Sequence, residues 1–144
     1  GYVAYPIFGI YHNVGQPLYR HVVKALLSRL LPKPALSTDL PSAGRATLTH
    51  QAERNRHILH LLYGPPQVRG KAVPNGEGTR VMEMIEDIPA IGPVSAAVRL
   101  PSRPARAYEA VSGQHLDLQD LGDGTYGVTL DRLRIHAAIV FEQA

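Results

Sequence analysis

His57 and His60 are the first residues in this chain with a spacing that suggests chemistry, because two imidazoles three residues apart hold zinc when they share one face of a helix. Here they lie in Arg56-His57-Ile58-Leu59-His60-Leu61-Leu62, a β-like run in which residues three apart face opposite ways. His50 could meet His60 across a hairpin, but no third ligand is evident, so neither a metal nor a cofactor is expected. Paired carboxylates are the next possibility, since glycoside hydrolysis needs two at a fixed separation. Glu83 with Glu86, Glu86 with Asp87, and Asp117 with Asp120 are available, yet nothing in the sequence places any pair in a pocket. There is no G-x-S-x-G nucleophile elbow. Gly122-x-Gly124 lacks the third glycine and following helix of a dinucleotide fingerprint and reads as a hairpin turn. Pro74-Asn75-Gly76-Glu77-Gly78 lacks the Lys and Ser/Thr of a phosphate loop. No catalytic residue is therefore assigned. For binding a sugar face the chain has no Trp, which leaves Tyr63, Tyr108 and Tyr126 as sugar-binding candidates, each inside a strand pattern.

The elements that must position these residues fall into two parts. Residues 2–11 form an apolar, aromatic, uncharged stretch that reads as a strand needing partners on both faces. Gly15 breaks the chain, Pro17 suits a first helical position and Pro32 stops the helix. Between them Leu18, Val22, Ala25, Leu26 and Leu30 recur at helical spacing, opposite Arg20, Lys24 and Ser28. A strand followed by such a helix belongs to an α/β layer, so residues 1–32 are expected to be the C-terminal strand and helix of an α/β domain. Pro32-Lys33-Pro34 is the stiff joint between that helix and the strands beyond it.

Residues 35–144 read as a ladder of short strands. Stretches 45–50 and 57–63 flank the polar tip Glu53-Arg54-Asn55-Arg56 of a hairpin. Residues 68–78 read as a loop or exposed excursion, 80–86 as a strand. Val94, Ala96, Val98 and Leu100 alternate with Ser95, Ala97 and Arg99; a further strand covers about 105–111, and Leu116 and Leu118 alternate with His115 and Asp117. Gly122-Asp123-Gly124 turns the chain into Tyr126, Val128 and Leu130, before Leu133, Ile135, Ala137, Ile139 and Phe141 give the longest alternation. The fold class expected is mainly β: an antiparallel β-sandwich of seven or eight strands, preceded by the strand–helix remnant.

Bulk properties bound the partners. The 144 residues carry a formal charge of +3, with Arg and Lys interspersed with acids and gathered into no basic run, so nucleic-acid binding is not expected. No run of about 18 apolar residues exists, so no membrane span is expected. The chain has no cysteine, hence no disulfide framework. The compartment stays open, the cytoplasm being slightly favoured. A first residue that is Gly rather than Met, and a first strand without neighbours, lead to the expectation of a C-terminal piece of a longer protein.

A resemblance sharpens this. The run Tyr5-Pro6-Ile7-Phe8-Gly9-Ile10-Tyr11-His12-Asn13-Val14-Gly15-Gln16-Pro17-Leu18-Tyr19-Arg20, with Leu30-Leu31-Pro32 after it, resembles the end of the trimerisation domain of family-42 β-galactosidases and related enzymes described as α-L-fucosidases. Thr38-Asp39-Leu40-Pro41-Ser42, Arg45-Ala46-Thr47-Leu48-Thr49, Ile85-Glu86-Asp87-Ile88-Pro89 and Arg106-Ala107-Tyr108 are similar to their C-terminal β-sandwich. The resemblance implies a parent ordered as catalytic (β/α)8 barrel, Rossmann-like trimerisation domain and small sandwich, with two catalytic glutamates on the barrel. A barrel needs about 250 residues, so this chain is expected to be no enzyme itself. Its expected role is a non-catalytic scaffold or accessory region of a glycoside hydrolase. Its expected partners are the missing N-terminal catalytic and α/β domains and a second copy of itself. The alternative is a carbohydrate-binding sandwich acting on its own.

Overall fold

In the computed structural model, residues 3–76 and 78–143 are described, with Asn75, Thr79 and Arg80 described by their backbone alone. The chain divides into two compact units, Gly1–Pro34 and Ala35–Ala144.

The first unit is two helices, not a strand and a helix. Helix α1 is Ile7–Val14 and α2 is Pro17–Leu30; the two pack on each other. Residue 2 of the expected strand lies outside the described residues. From Ile7 the stretch is helical, because Ile7, Ile10, Tyr11 and Val14 fit a helical period, and a short apolar run suits a strand buried on both faces as well as a helix. Gly15 then settles the end of the helix. At φ 66° it takes the left-handed C-terminal position and donates its N–H to Tyr11 O. Pro17 opens α2 as expected. The face of α2 that is partly covered is Tyr19, Val23 and Leu26, whereas Leu18, Val22 and Leu30 stay exposed.

The second unit is an antiparallel β-sandwich with a two-stranded ribbon. Four strands, β1 (Leu36–Thr38), β6 (Val94–Arg99), β10 (Thr125–Leu130) and β9 (Gln119–Asp120), form one sheet in the order β1-β6-β10-β9. Five more, β2 (Gly44–Gln51), β3 (Arg56–Tyr63), β11 (Ile135–Glu142), β7 (Arg106–Glu109) and β8 (His115–Leu116), form the other in the order β2-β3-β11-β7-β8. The β2–β3 hairpin turns through a 3-10 turn, Ala52–Arg54, at the polar tip. Leu59, Leu61, Ile139 and Phe141 from one sheet share a buried cluster with Val98, Val128 and Leu130 from the other. Burying each such side chain is worth about 1.5–3 kcal/mol.

Three details depart from the expected strands. The exposed excursion is a paired ribbon and not an irregular loop: β4 (Gln67–Asn75) pairs with β5 (Gly78–Met84), Asn75 lying opposite Gly78, with a register shift between Arg69 and Val73 beside left-handed Gly70. The segment around Leu116 is split, β8 in one sheet and β9 in the other, so the chain crosses the sandwich edge at residues 117–118. Ile135 breaks the alternation of β11. It is exposed, at φ 63°, and His136 N–H donates to Arg134 O across it at 2.8 Å, making a γ-turn at the strand's entry. The expected Gly122-Asp123-Gly124 turn is present, all three residues having positive φ.

Gly92 is required by close approach. A Cβ there would press into the Asp131 carbonyl, 2.8 Å from its carbon, beside the Ile91–Leu133 bridge. At Gly44 a Cβ would instead meet the Leu40 side chain, which can move. Gly92→Ala is expected to cost about 1–3 kcal/mol and Gly44→Ala less, read as urea unfolding midpoints; equal midpoint shifts would contradict the assignment.

Candidate functional site

The three tyrosines separate sharply. Tyr126 pairs with Val98 on the inner face and is 7% exposed, so its ring has no free face for a sugar. The strand alternation that suggested it as a platform is the pattern that buries it. Tyr63 is half-buried at the end of β3, packed on the core and forming one wall of a cavity of about 440 Å³. Ser42, Arg45, Ile85 and Ile135 contribute other walls. Tyr108 is half-buried on the outer face of the five-stranded sheet, over Ile58, Ala138 and Val140. The Arg106 guanidinium lies 5.2 Å from its ring centroid, and the His115 ring tilts against it at 6.5 Å. Arg106 in turn pairs with Glu142, and that hydrogen bond holds the Glu142 carboxyl below its ordinary range.

The carboxylate pairs do not form an enclosed acid–base site. Glu83 is exposed on the ribbon, and Glu86 is bound by Arg69 through contacts of 2.8 and 2.7 Å. Asp120 accepts the Gly122 N–H at 2.9 Å and lies 3.9 Å from Arg103. Asp117 lines a polar cavity of about 220 Å³ with Asp131, His115 and Gln114 rather than meeting Asp120 there.

The carboxylate that the structure does bury was overlooked by sequence reasoning. Glu109 is 8% exposed and accepts hydrogen bonds from Ser112 N–H (2.6 Å), Ser112 Oγ (2.7 Å) and Val111 N–H (3.1 Å). Burial pushes its carboxyl upward, but these donors outweigh burial and hold it below its ordinary value. These bonds end β7 and fold residues 109–113 into a turn, and the Ala138 backbone of β11 also contributes to holding the carboxylate. The signal available was an acid followed by Ser112-Gly113 at turn spacing.

The histidines pair differently from expectation. His50 lies opposite His57, not His60, and their rings stack at 4.4 Å. His57 is held below its ordinary value, first by burial and then by the neighbouring His50; its Nδ1 is buried without a hydrogen-bond partner. His60 instead meets His136 of β11, Nδ1 to Nε2 at 3.2 Å, with the rings nearly parallel. Sequence distance hid this pair. Among the described residues no group of three or more His, Asp or Glu side chains comes together to hold a metal.

What the fold and these sites define is a small β-sandwich with open surface cavities, preceded in the chain by a helical pair. No protein-family model matches the sequence, and no curated protein matches it. Among solved structures the chain is similar to alpha-L-fucosidase isoenzyme 2 from Paenibacillus thiaminolyticus, at 32% identity and a TM-score of 0.87. The likeness takes in 99% of this chain and 20% of that one, so the chain spans about one fifth of the length of the fucosidase it matches.

His57 and Glu109, the two shifted groups that are at least partly buried, make stability depend on pH in the same sense, and the exposed Glu142 acts in that sense too. Their folded values lie below the ordinary 6.5 of His57 and 4.5 of Glu109, so each contribution is complete above that ordinary value and is lost as pH falls below it. Urea midpoints are expected to fall in two steps, one below pH 6.5 and one below 4.5. His57→Gln should remove the first step. Glu109→Ala should shrink the second, leaving the part due to Glu142, and cost about 1–3 kcal/mol at neutral pH, by leaving the Val111 and Ser112 N–H groups unpaired. Unchanged profiles in the two variants would contradict the assignment.

Proposed function

We propose that this chain is a non-catalytic C-terminal region of an α-L-fucosidase-like glycoside hydrolase, related also to family-42 β-galactosidases, and that it braces or oligomerises the parent's catalytic part. The observation that carries this is the likeness, over 99% of the chain, to part of a much longer α-L-fucosidase. Two further features support it. The carboxylate pairs that the sequence offers do not converge on one cavity: Glu86 is bound by Arg69, Asp120 by the Gly122 N–H, and Asp117 lines a polar cavity without Asp120. The helical unit exposes Phe8, Val14, Leu18, Leu30 and Leu31, each more than half accessible, which is more apolar surface than a 34-residue unit needs if it works alone. In this reading residues 1–34 are the end of the parent's α/β trimerisation-like domain, and the uncovered helix faces pack against the rest of it or against a second copy.

An antibody against the chain should detect in source-cell extract a polypeptide several times larger than 15.7 kDa, and the purified chain should not turn over nitrophenyl α-L-fucoside. A native band of 15.7 kDa, or turnover abolished by one carboxylate substitution, would overturn the proposal.

The cavity beside Tyr63 favours a second reading, a sugar-binding sandwich, since its volume of about 440 Å³ and its mixture of one ring, one guanidinium and one hydroxyl suit a pyranose. Calorimetry with fucosides and galactosides should then give heat that Tyr63→Ala removes and Tyr108→Ala leaves intact. Absence of heat returns the scaffold reading alone.

A further inference from the structure

The pair His60–His136 stands apart from everything used so far. Its two ring nitrogens face each other at 3.2 Å. In a tetrahedral complex with metal–nitrogen bonds of about 2.0–2.1 Å, two imidazole nitrogens lie about 3.3 Å apart. The pair therefore already has the nitrogen separation of a bidentate metal ligand, and an ion would replace the hydrogen bond between the nitrogens, sitting to one side of the line that joins them once the rings have turned toward it.

The scaffold holds that separation. The residues lie on β3 and β11, whose antiparallel register runs unbroken from Ile135↔Tyr63 to Glu142↔Arg56. His60 is opposite Ala138 and His136 opposite Leu62, so the two are diagonal neighbours on the outer face. Ala138, being small, leaves the space over which the rings approach. Immediately before His136 stands the γ-turn at Ile135, a β-branched residue at φ 63°. A β-branched residue in that region is an outlier that persists where its surroundings fix it, and here it sets the direction in which β11 delivers His136.

We propose that His60 Nδ1 and His136 Nε2 form a surface binding site for a divalent transition metal ion that prefers imidazole, with solvent completing its coordination. The donor set decides the class of ion. It is imidazole without carboxylate, and the register puts the cation Arg45 on the same face, across Leu62. Such a set suits Cu(II), Ni(II) and Zn(II) and disfavours Mg(II) and Ca(II), which require oxygen ligands.

The test is a titration of the full chain with Zn(II) and Cu(II) against a chromophoric competing chelator. Wild type should bind one equivalent at this site. His60→Asn and His136→Asn should each weaken binding at least about tenfold, and His50→Asn should leave it unchanged. No saturable binding by wild type, or wild-type affinity in His136→Asn, overturns the proposal. A readout independent of variant folding is the electron paramagnetic resonance spectrum of the wild-type Cu(II) complex. Hyperfine splitting from two imidazole nitrogens is expected; splitting from none or one rejects the site.

Discussion

The rest of this molecule depends on one pairing, that of β3 with β11. It runs for eight residue pairs through the middle of the five-stranded sheet, from Ile135↔Tyr63 to Glu142↔Arg56. Because side chains alternate along each strand, one inward set, Leu59, Leu61, Ala137, Ile139 and Phe141, is fixed as soon as the register is fixed. A slip of one residue would turn Leu59 and Phe141 to water and place His60 and His136 in the core. The penalty for that is several buried aliphatic side chains at once, so the register has no close competitor.

The same pairing distributes the polar groups. The outer face carries its own small apolar cluster, Ile58, Ala138 and Val140, sheltered under Tyr108. Around it the longer side chains are organised in rows across the sheet: Arg56, Glu142 and Arg106 in one, Leu62 and His136 in another. The edges are handled by local chemistry instead. At one edge Glu109 gathers the Val111 and Ser112 amides and ends β7. At that same edge, beyond β7, the chain passes from β8 to β9 and closes the gap between sheets. Central strands are set by burial, edges by individual hydrogen bonds.

That division also explains what was legible in the sequence. Strands β3, β6, β10 and β11 could be read because alternation of Val, Leu and Ile is a direct image of one buried face. Residues 7–14 could not, since a short apolar run suits a strand buried on both faces as well as a helix, and the deciding group is the left-handed glycine at 15. Of the ribbon only the second strand was read, as 80–86; the first was missed because its exposed residues carry no period, although Asn75-Gly76 is a hairpin signal. Tyr126 shows the limit of reading aromatic residues as platforms, since periodicity says that a face is buried, and Tyr126 lies on that face. Glu109 and the His60–His136 pair escaped because their meaning lies in backbone direction and in contacts 76 positions apart, which composition and spacing do not encode.

The ribbon β4–β5 has its substantial packing only between its own two strands, with Val68, Val73, Met82 and Met84 open to water. Two strands without a third strand or a covering helix are marginal in water. The ribbon is therefore a separate cooperative unit, able to open while the sandwich stays shut, and its free energy of opening is far below that of global unfolding. In hydrogen exchange its amides would form the fast class and those of β3 and β11 the slow one, and a protease would find its first cut at the ribbon's turn. The chain thus has two layers of stability, a rigid frame and a hairpin that folds and unfolds on its own clock.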